Sequence, residues 1–208
     1  MSLMAAGVVL AAVSLDRLIG EPPARLHPVA WFGRLVGPLD RSWAAPRLVG
    51  AVGALCLPLS AAAVVALGVG LAGDIAPLAG GVVATLVLFA VVSLRLLCAT
   101  ATDVVEQTEI DIAGARAALL ALAGRDASDL SAGHVRSAAV ESAAENLSDG
   151  FVAPLAGFGI ASVVAGRWLT PVATLAVATA AAAWIKAVNT MDSMVGYRSK
   201  PVGWAAAR

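Results

Sequence analysis

The run Leu48–Leu94 carries one charged residue, Asp74, and nothing else in the chain constrains its fold as tightly. On either side of that aspartate, Leu48–Gly73 and Ile75–Leu94 are uncharged and long enough to cross a hydrocarbon core of about 30 Å at about 1.5 Å per residue. A hydrocarbon core offers no water to the backbone, so such a segment satisfies its own N–H and C=O groups as a helix. Composition extends this to the whole chain. Of 208 residues, 60% are hydrophobic and 13% charged, roughly half the charge of a soluble domain. The predicted fold class is all-α, a polytopic membrane helical bundle forming one domain over residues 1–208.

Three weaker segments, Met1–Leu15, Phe151–Gly166 and Trp168–Ile185, bring the expected transmembrane helices to about five. The last two are short and rich in Ala and Gly, which suits helices packed closely inside a bundle, with a re-entrant pair as the alternative. Met1–Leu15 lacks a basic leading region and a convincing cleavage site, so it reads as a span rather than a removable signal peptide. If all five cross, 13 of the 14 Lys and Arg residues fall on one side, Arg167 being the exception. The positive-inside rule makes that side cytoplasmic and puts the N-terminus outside. A formal net charge of zero hides this asymmetry, and no nucleic-acid partner is expected.

Residues 95–149 form the largest polar insertion, expected to be cytoplasmic and helical. Val104, Val105, Ile110, Ile112, Ala115, Ala118, Leu119 and Leu122 recur at helical intervals with acidic residues between them, predicting one amphipathic helix that continues from the third span. Gly124-Arg125-Asp126 should end it, and Ser128 or Asp129 should cap a second helix running toward Glu145. Cys56 and Cys98 show no metal-ligand spacing and read as small core residues.

Two polar islands, Glu141–Gly150 and Lys186–Lys200, flank a stretch of 35 residues whose only charge is Arg167. Two short crossings would return the chain to the side it left, so the islands would face each other. In the first, Glu141 and Glu145 stand at i and i+4, followed by Asn146, Ser148 and Asp149. Ser148 or Asp149 could cap the next span. Capping leaves the other polar groups unexplained beside lipid, where they are costly and usually functional. In the second island Lys186, Asn189 and Ser193 share a helical face with Asp192 adjacent, before Gly196 ends the turn and Tyr197, Arg198 and Lys200 follow. Asp and Asn oxygens suit Mg²⁺, and Lys and Arg suit phosphate. A snorkelling lysine and a basic tail would account for Lys186, Arg198 and Lys200 but not for Asn189 and Asp192. A third polar region, Asp16–Gly33, is held irregular by Pro22-Pro23 and His27-Pro28. Either Asp16, Glu21 and His27 converge there as metal or phosphate–metal ligands, or the region is a helix cap and a stiff loop.

Taken in order, DRLIGEPP at 16–23, HPV at 27–29, GRD at 124–126, ESAAENLSDGFVAPL at 141–155, KAVNTMDSMVGY at 186–197 and GWAAAR at 203–208 resemble the membrane-bound adenosylcobinamide-phosphate synthase family of cobalamin biosynthesis. The resemblance implies an ATP-dependent amide ligase of the bacterial inner membrane. Such an enzyme joins a carboxylate of adenosylcobyric acid, a corrinoid, to aminopropanol or aminopropanol O-phosphate, with ATP and Mg²⁺. That chemistry suggests Glu145 as base, with Asp149, Lys186 and Asp192 also catalytic. Asp149 and Asp192 would hold metal, supplemented by Asp16 and Glu21. Substrate and phosphate would meet His27, Asn146, Ser148, Asn189, Ser193, Tyr197, Arg198 and Lys200. No G-x-x-x-x-G-K-[ST] loop is present, so nucleotide binding is not of the P-loop type. Beyond lipid and substrates, the expected partners are a second copy or other corrinoid-pathway proteins. Family members usually continue past the GWAAAR region, so a shortened member is expected, and the family favours Ser where Ala206 stands. A corrinoid-handling transporter or a non-catalytic scaffold subunit is the alternative.

Overall fold

Proline opens four of the helices. Pro28, Pro46, Pro77 and Pro171 each occupy the first helical position, where a missing N–H costs nothing and the fixed φ already suits the helix. The computed structural model describes residues 2–123, 127–197 and 199–202. In chain order its helices are α1 (Leu3–Ile19), α2 (Pro28–Val36), α3 (Pro46–Ile75), α4 (Pro77–Val91), α5 (Arg95–Ile110), α6 (Ile112–Ala123), α7 (Ala132–Leu147), α8 (Ala153–Ala165) and α9 (Pro171–Val195). No strand occurs among the described residues.

Four helical stretches among the described residues are long and apolar enough to cross a membrane: Pro46–Ile75, Pro77–Ile110, Ala132–Ala165 and Pro171–Val195. Four of the five expected spans overlap them. The remaining one corresponds to α1, whose 17 residues reach about 25 Å. It packs along α4, with Ala5, Val8 and Ala12 buried in the same apolar cluster as Ala84 and Leu88. Helix α9 is the centre of the bundle, packing on α2, α3, α4 and α8. Its most apolar window is 44% buried against 17% for that of α3, whose Leu55, Leu59, Leu67 and Leu71 point outward as lipid-facing residues do.

Lipid tails are as apolar as leucine, so such helices associate through close backbone approach rather than hydrophobic burial. Gly73 provides that approach. A Cβ added at Gly80 of α4 would lie 2.9 Å from the Gly73 Cα, and one added at Gly73 would collide with Val172 of α9. The same solvent corrects the cysteine expectation at Cys56, a free thiol on an exposed face of α3, because in lipid a small apolar residue is satisfied on the outside; Cys98 on α5 is also a free, exposed thiol.

The insertion is three helices rather than two. Asp111 leaves α5 in an extended conformation, φ −145° and ψ 99°, and its Oδ1 accepts the Ala113 N–H at 3.0 Å, so it starts α6 where periodicity alone predicted continuity. Helices α5, α6 and α7 close on their own core of Val104, Ala115, Leu119, Val135, Ala138 and Ala139. Ser131, not Ser128 or Asp129, caps α7, its Oγ accepting the His134 N–H. Residues 124–126, the expected breaker, lie outside the described residues. Neither Ser148 nor Asp149 caps the following span. Helix α7 runs on into α8 through a wider π-helical turn at Ser148–Val152 that has no side-chain cap.

Between α4 and α5 the chain leaves helical geometry at Val92–Leu94, freeing backbone donors. The fully buried Asp16 carboxylate of α1 accepts the Leu94 N–H at 3.3 Å and the Arg95 N–H at 3.0 Å. The Ser93 N–H donates to the Gly150 carbonyl in the π turn at 3.1 Å. In return, the Arg95 guanidinium donates to the Leu18 carbonyl at 2.9 Å, closing the C-terminal end of α1, where Gly20 turns the chain at φ +79°. Each helix end is thus capped by a charge of the sign its dipole favours. Asp16→Ala would leave two buried donors unpaired and is expected to cost about 2–3 kcal/mol, seen as a lowered thermal midpoint in detergent. Arg95→Ala should cost less, about 1 kcal/mol, since the α1 carbonyls lie nearer the surface. An Asp16→Ala midpoint equal to that of the unmodified chain would contradict this role.

Candidate functional site

The same end of the bundle gathers the C-terminal end of α1, the loop before α2, the α4–α5 break, the π turn and the last turns of α9. Because α9 continues unbroken to Val195, it carries Lys186, Asn189 and Asp192 onto this end, and Gly196 caps it. Opposite stands the π turn. A turn of this kind is uncommon and often marks a functional site, since the extra residue re-aims its neighbours. Here it buries Gly150 and leaves Ser148 and Asp149 exposed.

Two hollows lie on either side of this contact. The first, about 260 Å³, is lined by Glu21, Ser93, Thr100, Asn146, Gly150 and Lys186. The Lys186 ammonium reaches toward Gly150: a Cβ built there would lie 3.8 Å from its Nζ. Glu21 and Asp149 are the carboxylates that act on its charge. The second hollow, about 280 Å³, brings Asp149 of the π turn together with Trp184, Asn189 and Asp192 of α9. The islands do meet, as their spacing predicted. The shared face expected for Lys186 and Asn189 splits between the two hollows because the π turn packs against α9 between them.

His27 caps α2, its Nδ1 accepting the Val29 N–H at 3.3 Å, while its Nε2 lies 3.8 Å from a Glu21 carboxylate oxygen. Burial holds its pKa below the usual 6.5; the Glu21 carboxylate opposes the shift and the Lys186 charge reinforces it. With Nδ1 an acceptor, the neutral ring carries its proton on Nε2, toward Glu21.

Other expected residues fall elsewhere. Asp16 does not converge with Glu21 and His27, because its carboxylate is engaged by the α5 amides. Glu145 is exposed on α7 and lines neither hollow, and Ser193 is likewise exposed. Tyr197 is exposed beyond α9, Lys200 forms an ion pair with Asp40, and Arg198 lies outside the described residues. Among the lining residues not singled out from the sequence are Ser93, Thr100 and Trp184. Ser93 carried a signal, a hydroxyl interrupting an apolar run, whereas Trp184 reads like any interfacial aromatic.

No group of three or more His, Cys, Asp and Glu side chains gathers among the described residues in a way that could hold a metal. Asp149, Asp192 and Asn189 still offer two carboxylates and an amide to one hollow. That set fits Mg²⁺, which commonly uses one or two protein carboxylates and completes its shell with water and substrate phosphate.

A family model described as CobD/Cbib protein matches residues 9–208. A probable cobalamin biosynthesis protein CobD of Methanothermobacter thermautotrophicus is 34% identical, the match covering 97% of this chain and 62% of the relative. The cobalamin biosynthesis protein CobD of Geobacter metallireducens is 39% identical, covering 98% of this chain and 62% of the relative. That of Rhodobacter capsulatus is 35% identical, with 98% and 63% covered. The chain therefore spans somewhat under two thirds of the length of these relatives. No solved structure matches it.

His27 yields a pH prediction. In the unfolded chain the imidazole takes up a proton near pH 6.5, while in the folded chain it resists doing so, so the folded state is disfavoured as pH falls below that value. The thermal midpoint in detergent should fall between pH 7 and pH 5, and His27→Asn, which keeps a capping acceptor, should remove this component. His27→Ala should cost about 1 kcal/mol at neutral pH. A pH profile unchanged in His27→Asn would contradict the assignment.

Proposed function

The chain belongs to the CobD/Cbib protein family and to cobalamin biosynthesis, and from that premise we propose that it is an ATP-dependent, amide-forming ligase acting on a corrinoid carboxylate. Its substrates are adenosylcobyric acid and aminopropanol or aminopropanol O-phosphate. The observation that carries this reading is the pairing of the two hollows. One offers a cation beside a carboxylate, Lys186 with Glu21, and the other offers oxygen ligands, Asp149, Asn189 and Asp192, of which Asn189 is within one turn of Lys186 on α9.

Amide ligation needs both kinds of surroundings. A corrinoid carboxylate oxygen attacks the γ-phosphorus of ATP, ADP leaves, and an acyl phosphate remains. The amine nitrogen then attacks the acyl carbon, inorganic phosphate leaves, and the amine's surplus proton passes to a base. Lys186 stabilises the charge on the transferring phosphoryl oxygens, a fixed cation aimed where charge develops. Glu21 faces Lys186 inside the hollow and is better placed than Glu145 to take that proton. Mg²⁺ held by Asp149, Asp192 and Asn189 would neutralise the ATP phosphates.

Orientation follows the charge. If all five expected spans cross, 13 of the 14 basic residues of the sequence fall on one side, and the positive-inside rule then puts the site on the cytoplasmic face of the inner membrane, where ATP is available.

The test supplies purified chain in detergent with adenosylcobyric acid, aminopropanol O-phosphate and Mg-ATP, and follows the amide product by mass spectrometry. Asp192→Ala and Lys186→Met are each expected to lower the rate by about 100-fold or more. Undiminished product in both variants would overturn the site assignment. Corrinoid uptake into vesicles without any amide would favour a transporter instead.

A further inference from the structure

Helix α2 turns its two sides to different surroundings. Phe32 and Val36 are buried with Ala187, Met191 and Val195 of α9, whereas Trp31, Arg34 and Leu35 are exposed on its outer side. The preceding loop folds back onto that outer side. There the Trp31 Nε1–H donates to the Arg25 carbonyl at 2.9 Å, so Arg25 and Arg34, both exposed, are neighbours of one indole, and Leu26 is exposed next to Arg25. Residues 17–47 carry five Arg against two carboxylates, Glu21 and Asp40. Glu21 is turned to His27 and Lys186, and Asp40 pairs with Lys200. Neither Arg25 nor Arg34 forms an ion pair among the described residues.

This mixture excludes two surroundings. In water, Leu26, Trp31 and Leu35 would form an exposed apolar patch, and in hydrocarbon both guanidinium groups would lack an anion, at high cost. The headgroup layer of a bilayer satisfies both kinds of residue, because indole and guanidinium partition there and phosphate supplies the anion. The position of α2 agrees. Just past its end, Leu39 packs so closely on α3 that a Cβ added at Gly53 would collide with it. That contact sets α2 beside Leu55 and Leu59, on the outward face of a lipid-facing helix.

We propose that Arg25, Trp31 and Arg34 form a docking site for an anionic phospholipid. Each guanidinium meets a headgroup phosphate through paired N–H donors, while Trp31 and Leu35 lie against the upper part of the acyl chains. The same segment carries Glu21 and His27, so a lipid bound here steadies one wall of the polar hollow. The inference is independent of the ligase reading, since neither arginine lines either hollow.

The experiment reconstitutes the chain in phosphatidylcholine bilayers and follows tryptophan quenching by phosphatidylglycerol brominated on its acyl chains, with Trp31→Phe isolating the one indole. A basic residue at an anionic surface is worth about fivefold in binding, so the Trp31 signal should favour brominated phosphatidylglycerol over brominated phosphatidylcholine by about 25-fold. Combining Arg25→Gln with Arg34→Gln should bring that ratio close to one. Arg136→Gln, which removes a charge from the insertion, should leave it unchanged, and inorganic phosphate should not compete. Equal quenching by the two lipids, a ratio that persists in the double variant, or an equal loss in Arg136→Gln would overturn the site. Competition by inorganic phosphate would overturn it in favour of a soluble anion, and a Trp31 that neither lipid quenches would overturn it in favour of a protein partner.

Discussion

Three backbone N–H groups freed at the edge of the apolar bundle organise this molecule. Where α4 gives way to α5, the donors of Ser93, Leu94 and Arg95 have no helical partner, and an unpaired donor beside hydrocarbon is costly. Two of them end on the Asp16 carboxylate of α1 and one on the Gly150 carbonyl of the π turn. Arg95 returns the bond by closing the end of α1. That mutual capping ties the first helix, the α4–α5 break and the α7–α8 junction together at one end of the bundle. Both hollows border the π turn fixed in this way, and the knot sets the distance across which Lys186 and Gly150 face each other.

The spans were legible because their signal is local. An uncharged run such as Leu48–Gly73 has one outcome in hydrocarbon, a helix, without reference to any other residue. The meeting of the islands was legible too, since it needed only the length and polarity of what lies between them. What failed to show depended on partners distant in sequence. Asp16 looks like a ligand until Leu94 and Arg95, some 78 residues on, are seen to need it. Lys200 looks like a phosphate ligand until Asp40 is found across from it. The π turn and the break at Asp111 interrupt patterns that periodicity continues straight through, because a single extra or extended residue leaves hydrophobic spacing almost unchanged.

The bilayer also reverses some habits of inference from soluble proteins. Exposed Leu and Cys side chains on α3 are satisfied where they are, while the tightest packing belongs to glycine and alanine on α3, α4, α8 and α9. A bundle held by small residues leaves narrow spaces between its helices. The apolar space beside the Lys186 stem, between α2, α3, α4 and α9, is one of them.

The proposed ligase chemistry makes a corrinoid carboxylate oxygen end up in phosphate. Adenosylcobyric acid labelled with ¹⁸O in the reacting carboxylate, incubated with the chain, Mg-ATP and aminopropanol O-phosphate, isolates that atom's fate. The account predicts one ¹⁸O in the inorganic phosphate released for each amide formed. Amide formed with unlabelled phosphate would contradict it.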